Sequence, residues 1–266
     1  HLGMPRLEVE GAAYATIIAK TVEMLLLIGY TIKERPEFIS FSVFKRIDWA
    51  LFGRILKKGS LLIISQMMWV LSESFTAAIY NGRGNAAVVS GMAASFSIAN
   101  LFFISFDGIT TATGVLIGKS LGRNELDDAR KEKTWMLSAA IIFGCIMCLV
   151  GVVTVLLVPV VFGNLSIDAQ NICRAMLLLM ALFMPLWTYV NTQLAVCRAG
   201  GDTKVGFLVD GGTTAVMIPM LLILAFFTNA SPVMMYFGVK ALDVGKIIVA
   251  THEMKKERWV VNLSNA

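Results

Sequence analysis

The sequence predicts an all-α fold, a polytopic bundle of about seven transmembrane helices. Of its 266 residues, 57% are hydrophobic and only 15% are charged, whereas soluble domains average roughly 25% charged residues. The apolar residues form long runs, several of which reach the roughly 20 residues needed to cross a bilayer. The basic residues lie mainly in the short segments between these runs, as is typical of membrane boundaries.

The spans follow one another along the chain, and two of them have special features. Pro185 lies inside the fifth run and predicts a kink, because proline removes one backbone donor and clashes with the preceding turn. The seventh run is the weakest, because Lys240, Asp243 and Lys246 fall three residues apart within it. We expect these charges to neutralise one another along one helix face. The predicted spans are 11–32, 59–80, 86–118, 135–161, 171–197, 205–227 and 232–250.

Two segments of the chain are too polar to span. Residues 33–58 carry apolar side chains at steps of three or four, which predicts an amphipathic helix lying on the membrane surface. Residues 251–266 form a basic, polar tail. The apolar positions of the amphipathic segment are Phe38, Phe41, Phe44, Ile47 and Leu51.

The loop charges predict an orientation. Alternating the loops places the basic segments 33–58, 119–133, 198–204 and 255–258 on one side. The other side receives only three arginines. The excess of Lys and Arg predicts that the first side is cytoplasmic, with the C-terminus inside and the start of the chain outside.

Small residues mark the helix ends around two of these loops. Gly114, Gly118 and Gly122 recur every four residues, which predicts a face where a neighbouring backbone approaches closely. In the segment that begins at Arg198, Gly201 is typical of a helix C-terminus, and Asp202 suits the N-cap of the next helix.

Polar residues inside the apolar runs require an explanation, because a charge in hydrocarbon is costly. In the second span, Gln66, Trp69, Glu73, Thr76 and Tyr80 follow steps of three and four and predict one stripe on a single face. Glu73 is therefore a candidate to bind a cation or carry a proton. The alternative is a structural hydrogen bond to a neighbouring helix.

Two further positions carry the same ambiguity. Asp107 in the third span could line a polar cavity or be satisfied by a neighbouring hydroxyl. In the fifth span, Asn191 shares a face with Thr188 and could serve a site or bond between helices.

Several classes of protein are disfavoured. The formal charge of +5 does not predict nucleic-acid binding, because the basic residues serve as topology signals. Cys145 and Cys148 have metal-site spacing but lie in an apolar run without a second pair. The sequence lacks a nucleophile elbow, a phosphate loop and a histidine–carboxylate group, so we predict neither an enzyme nor a cofactor.

Four stretches of the chain point to a known family. They are SESFTAAIYNGRGNAAVVSGMA from Ser72, TATGVLIGKSLGRNELDDARK from Thr111, CRAGGDTK from Cys197 and RWVVNLS from Arg258. In these four stretches and in their order along the chain, the protein resembles the C-terminal part of multidrug and toxic compound extrusion (MATE) transporters.

The resemblance implies two six-helix lobes related by pseudo-symmetry. It assigns residues 1–32 to the last helix of the first lobe, 33–58 to the linker and 59–250 to the second lobe. The chain would then be a fragment that lacks the first five helices.

The resemblance also implies a function. Family members export drugs or small organic metabolites, often cations, across the plasma membrane by alternating access, driven by protons or sodium. Glu73 matches an acid in the cation site of sodium-coupled relatives. Their partner aspartate falls at or near Trp187 here, and residues 172–196 contain no acid, so the coupling ion stays open.

Two alternatives keep the scaffold but change the function. A lipid-linked sugar flippase would need cationic residues in its cavity to meet a pyrophosphate, and the only lysines in the spans are Lys20, Lys240 and Lys246. The second alternative is a lobe that does not itself transport and that pairs with a partner lobe encoded elsewhere.

Overall fold

A computed structural model describes residues 8–34 and 48–261. Every regular element in these residues is an α-helix, which confirms the predicted all-α class. The chain divides into two compact units, His1–Arg54 and Ile55–Ala266. The helices are α1 (Glu8–Glu34), α2 (Trp49–Arg83), α3 (Ala86–Gly122), α4 (Leu126–Val161), α5 (Ile167–Ala199), α6 (Thr203–Phe227), α7 (Pro232–Ala241) and α8 (Asp243–Met254).

The first unit contains α1 and the start of α2. Within α1, the Lys20 ammonium lies 2.7 Å from the Glu23 carboxylate, as expected for a pair three residues apart. The apolar side chains of α1 are largely exposed, including Leu26 at 69%. Most of the predicted amphipathic helix, residues 35–47, lies outside the described residues. Residues 49–58 are the first turns of α2.

Six of the described helices are long and apolar enough to cross a membrane. Large apolar side chains on their outer faces are exposed, among them Val160 at 81% and Phe227 at 84%. The expected seventh span is divided in two. Leu242 separates α7 from α8, and its backbone N–H bonds to Val239 at three-residue spacing rather than continuing an α-helix. Neither half reaches the length of a span.

Helix α5 lies at the centre of the second unit and contacts α3, α4, α6, α7 and α8. Glycines allow the closest approaches to it. A Cβ built on Gly144 would lie 2.5 Å from Pro185 Cα, and one built on Gly91 would lie 2.6 Å from the Ala169 carbonyl oxygen. Pro185 lies within the helix, as predicted.

The regularly spaced glycines of α3 have no packing partner among the described residues. A Cβ added to Gly114, Gly118 or Gly122 would meet nothing within 4 Å among the described residues. Spacing alone places glycines on one face of a helix, whereas the position of the neighbouring helix decides whether that face is used. In this unit α5 packs against Gly91 and Gly144 instead.

The C-terminus of α5 ends in a Schellman motif. Gly201 has φ 76°, in the left-handed region that favours glycine. The backbone N–H of Asp202 donates to the Cys197 carbonyl, and that of Gly201 donates to Arg198. Asp202 occupies the N-cap of α6 as predicted, but its side chain makes no capping hydrogen bond.

The basic loops meet at this end of the bundle. Trp259 is buried, and its backbone carbonyl occupies the space that a side chain on Gly200 would need. The Arg130 guanidinium lies 2.9 Å from the Glu257 carboxylate. The segment predicted as a polar tail therefore supplies a buried anchor. The Trp259 cluster contains residues from α3, α4, α5, α6 and α8.

Candidate functional site

The polar residues of α2 do not all face the same surroundings. Thr76 and Tyr80 are buried, and Glu73 retains 32% of its side-chain exposure. Gln66 and Trp69 are exposed. The predicted steps do hold the five residues within an arc of about 80°. Of these five residues, only Glu73, Thr76 and Tyr80 are covered by other parts of the described structure.

Glu73 is paired with a lysine from a distant part of the chain. The Lys240 ammonium of α7 donates a hydrogen bond of 2.8 Å to Glu73 Oε1. The lysine side chain is 13% exposed. Glu73 lies about 15 Å from the end of α2 at Arg83. The pair is therefore well away from the end of this apolar helix. A pair at this depth is held by mutual attraction, because either charge alone would be costly there.

Two aromatic rings complete the surroundings of the lysine. Its Nζ lies 5.6 Å from the ring centroid of Trp187 and 5.5 Å from that of Tyr236. Distances below about 6 Å allow a cation–π attraction. Phe183 stacks on Trp187, with centroids 5.8 Å apart. We call Glu73, Trp187, Tyr236 and Lys240 the lysine box.

A second ion pair adjoins the lysine box. The Trp187 indole N–H donates a 2.8 Å hydrogen bond to Asp243 Oδ2, and Lys246 Nζ lies 3.1 Å from Asp243 Oδ1. Asp243 is 5% exposed and opens α8 directly after the break at Leu242. The indole therefore connects the two ion pairs.

The charged residues of the weak seventh run were expected to neutralise one another. Lys246 and Asp243 do so, but Lys240 pairs with Glu73 instead. The three-residue spacing of these charges was the sequence signal that this run is more than a plain span. Nothing local pointed to Glu73 as the partner.

The other predicted site residues are not members of the lysine box. Asp107 is exposed on α3. The Asn191 side-chain amide donates to the Trp187 carbonyl within α5, and the Thr188 hydroxyl donates to Met184. These bonds serve the backbone of their own helix. Arg198 is partly buried, and its Nε has no hydrogen-bond partner among the described residues.

Tyr80, whose ring contacts Tyr236 of the lysine box, carries an unsatisfied hydroxyl. It is buried without a hydrogen-bond partner in the part of the chain that the structure describes. Its ring centroid lies 6.3 Å from that of Tyr236. A buried hydroxyl without a partner is costly, so a water or a bound solute would gain a hydrogen bond here.

The fold and this cluster together define a class. Six helices of spanning length with apolar outer faces make the chain a multi-pass membrane protein. Paired charges in the apolar interior of such a bundle are typical of pathways for ions or solutes.

Comparison with known proteins identifies the family. A family model described as MatE matches residues 62–224. The chain therefore belongs to the MatE family, as its sequence motifs indicated.

Two relatives show how far the similarity extends. A protein named "Probable multidrug resistance protein NorM" from Rhodopseudomonas palustris is 26% identical over 255 residues, which cover 93% of this chain and 53% of that protein. "Multidrug and toxin extrusion protein 1" of Oryctolagus cuniculus is 20% identical, over 97% of this chain and 44% of its own length. The chain thus spans about half the length of the curated relatives it matches.

A solved structure shares the fold. The crystal structure of the Vibrio cholerae MATE transporter VcmN in its bent form matches with a TM-score of 0.71 and 17% identity. The match covers 94% of this chain and 57% of that one. At this identity the similarity establishes the helical architecture alone.

Proposed function

We propose that the full-length protein is an antiporter that exports drugs or small organic metabolites by alternating access, coupled to protons or sodium. The observation that carries this proposal is the Glu73–Lys240 ion pair, which lies inside the helix bundle of a MatE-family chain. An ion pair at this depth can break and re-form as a cation or a proton arrives. The names of the relatives support a role in multidrug resistance or toxin extrusion.

The organisation of the chain belongs to the same proposal. Residues 59–250 would form one lobe, residues 1–32 the last helix of another, 33–58 the linker and 251–266 the tail. The lobe is supported by the compact unit Ile55–Ala266. Substrate would bind between this lobe and a second one, and Gln66, Trp69, Asp107 and Asn191 remain candidates to line its path.

We place the protein in the plasma membrane with its C-terminus in the cytoplasm. The convergence of the basic loops on the Trp259 cluster supports this orientation, because it gathers them at one end of the bundle. A fluorescent protein fused to the C-terminus matures only inside the cell, so the fusion should fluoresce. A dark but inserted fusion would reverse the assignment.

The flippase alternative is not favoured. It requires free cationic side chains to meet a pyrophosphate. All three lysines of the spans are paired, Lys20 with Glu23, Lys240 with Glu73 and Lys246 with Asp243. Their charges are therefore already compensated.

Ethidium efflux tests the proposed function. Full-length protein in proteoliposomes should move ethidium against its gradient when a proton or sodium gradient is imposed. The variant Glu73→Gln should lose this movement while it still inserts. Glu125→Gln, at an exposed position before α4, is the matched control and should pump normally. Wild-type efflux rates from Glu73→Gln would contradict the role of Glu73.

A further inference from the structure

The lysine box has the features of a cation site that is already occupied. A carboxylate oxygen lies 2.8 Å from the Lys240 ammonium, and the rings of Trp187 and Tyr236 lie within 5.6 Å of it. Carboxylate and aromatic faces together form a site that attracts a compact positive charge. Here that charge is supplied by the chain itself.

The charges around the lysine box are balanced. Glu73 and Asp243 provide two negative charges, and Lys240 and Lys246 provide two positive charges at 2.8 and 3.1 Å. A third acid, Asp210 on α6, interacts with Lys246 and Arg198, which oppose its charge, and with Asp243. A free Na⁺ at Glu73 would therefore add an uncompensated positive charge to a poorly solvated interior, which is unfavourable.

The covalent attachment of Lys240 to α7 favours its ammonium over a dissolved ion at Glu73. Lys240 extends from α7, where Tyr236 lies one turn earlier on the same helix. The Trp187 ring that flanks it is oriented by its hydrogen bond to Asp243 and by stacking on Phe183. An attached group acts at a high effective concentration, so a dissolved ion of the same charge competes poorly for the same carboxylate.

We propose that the Lys240 ammonium is a built-in cation that occupies the place of a free metal ion at Glu73, so that this lobe does not bind Na⁺ there. The inference rests on the proposed function and deepens it, because it leaves the proton as the coupling ion at this site. It replaces the sodium that the sequence left open at Glu73. Trp187 flanks the ammonium and is itself oriented by its hydrogen bond to Asp243.

Sodium binding to purified full-length protein tests this inference directly. Binding of ²²Na⁺ is measured at constant ionic strength, with choline as the replacement ion. Wild-type protein should show no saturable binding that Glu73→Gln removes. Lys240→Met should gain binding that approaches about one Na⁺ per chain. Lys240→Arg keeps the tethered charge and is the matched control, so it should resemble wild type.

Two further arms identify the site and keep the test decisive. Adding Glu73→Gln to Lys240→Met should abolish the gained binding. Saturable Na⁺ binding to wild type that Glu73→Gln removes would overturn the proposal, as would folded Lys240→Met protein that binds no more Na⁺ than wild type. If Lys240→Met does not fold, the comparison of wild type with Glu73→Gln decides. Equal ²²Na⁺ binding by the two proteins supports the proposal, and binding that Glu73→Gln removes overturns it.

Failure of transport and failure of the built-in cation are distinguishable. A protein that moves no ethidium under any gradient disproves the proposed antiport. The ²²Na⁺ comparison between wild type, Lys240→Met and Lys240→Arg still decides what fills the site at Glu73.

Discussion

The indole N–H of Trp187 donates a hydrogen bond of 2.8 Å to the carboxylate of Asp243. This bond joins the central helix α5 to the first residue of α8, directly after Leu242, which separates α8 from α7. It holds the ring that faces Lys240 and at the same time partners a carboxylate that is only 5% exposed. The helix break and the lysine box are thus connected by one side chain.

Trp187→Phe should destabilise the protein by about 1–3 kcal/mol, because a buried carboxylate loses a hydrogen-bond donor. Lys246 remains as a partner of Asp243, which keeps the loss below that of an unpaired charge. Thermal unfolding in detergent measures the effect. Trp135→Phe makes the same chemical change at a position that is 68% exposed and should leave the midpoint unchanged. Equal midpoints for both variants would show that the indole bond contributes nothing.

A double-mutant cycle on Glu73 and Lys240 should reveal strong coupling. Removing either charge leaves the other uncompensated, and breaking a buried pair in this way costs about 3–5 kcal/mol. The pair is partly solvated through Glu73, which is 32% exposed, so we expect the lower end of that range or less. Glu73→Gln combined with Lys240→Met should therefore be more stable than the sum of the single effects predicts. Additive unfolding free energies would contradict the pairing.

Substitution of two glycines by alanine should separate a packing role from helix propensity. Gly144→Ala places a Cβ 2.5 Å from Pro185 Cα, and overpacking of this kind costs about 1–3 kcal/mol. Gly118→Ala meets nothing within 4 Å and should be neutral or stabilising by up to about 1 kcal/mol, because alanine favours the helix. The order of the two melting midpoints is the readout. A more damaging Gly118→Ala would restore the importance of the regularly spaced glycines.

The Arg130–Glu257 pair should make stability depend on acidity. Hydrogen bonds from the Arg130 guanidinium hold the pKa of the Glu257 carboxyl below its usual range. A lowered folded-state pKa stabilises the protein above the unfolded-state pKa, about 4.3 for glutamate. That stabilisation is lost as the pH falls through the folded-state pKa.

The measurement is the difference in unfolding midpoint between wild type and Glu257→Gln. This difference should be present at neutral pH and shrink to nothing once the pH lies below the folded-state pKa of Glu257. The pair is exposed, so high salt should also reduce the difference. Glu125→Gln serves as the control, since that side chain makes no capping hydrogen bond. A difference that grows in acid would mean that Glu257 is not stabilised as a carboxylate.

Most of the fold could be predicted from residues that lie close together in the sequence. The apolar runs predicted the spanning helices because a backbone in lipid must satisfy its own hydrogen bonds, and a helix does so within one segment. Gly201 predicted a helix end because the left-handed conformation is a local demand. Asn85, whose side chain accepts from the Val88 N–H, begins α3 for an equally local reason.

The candidate site could be predicted only in part. Glu73 was identifiable because a carboxylate in an apolar run requires a partner or a function. Its partner was not identifiable, because 167 residues separate it from Lys240 and no periodicity spans that distance. The exposure of Gln66 and Trp69 was also invisible, since the spacing defines a face but not what covers it.

The sequence by itself determined that this chain is a helical membrane protein of the MatE type, because hydropathy, helix ends and family motifs are written in consecutive residues. The tertiary structure alone decided that Gly144 rather than Gly118 lies beneath a neighbouring helix, that Trp259 anchors the tail, and that a lysine meets Glu73. These are contacts between distant segments. They depend on which faces the packed helices bring within a few ångströms of one another, and short-range forces act only after that arrangement exists.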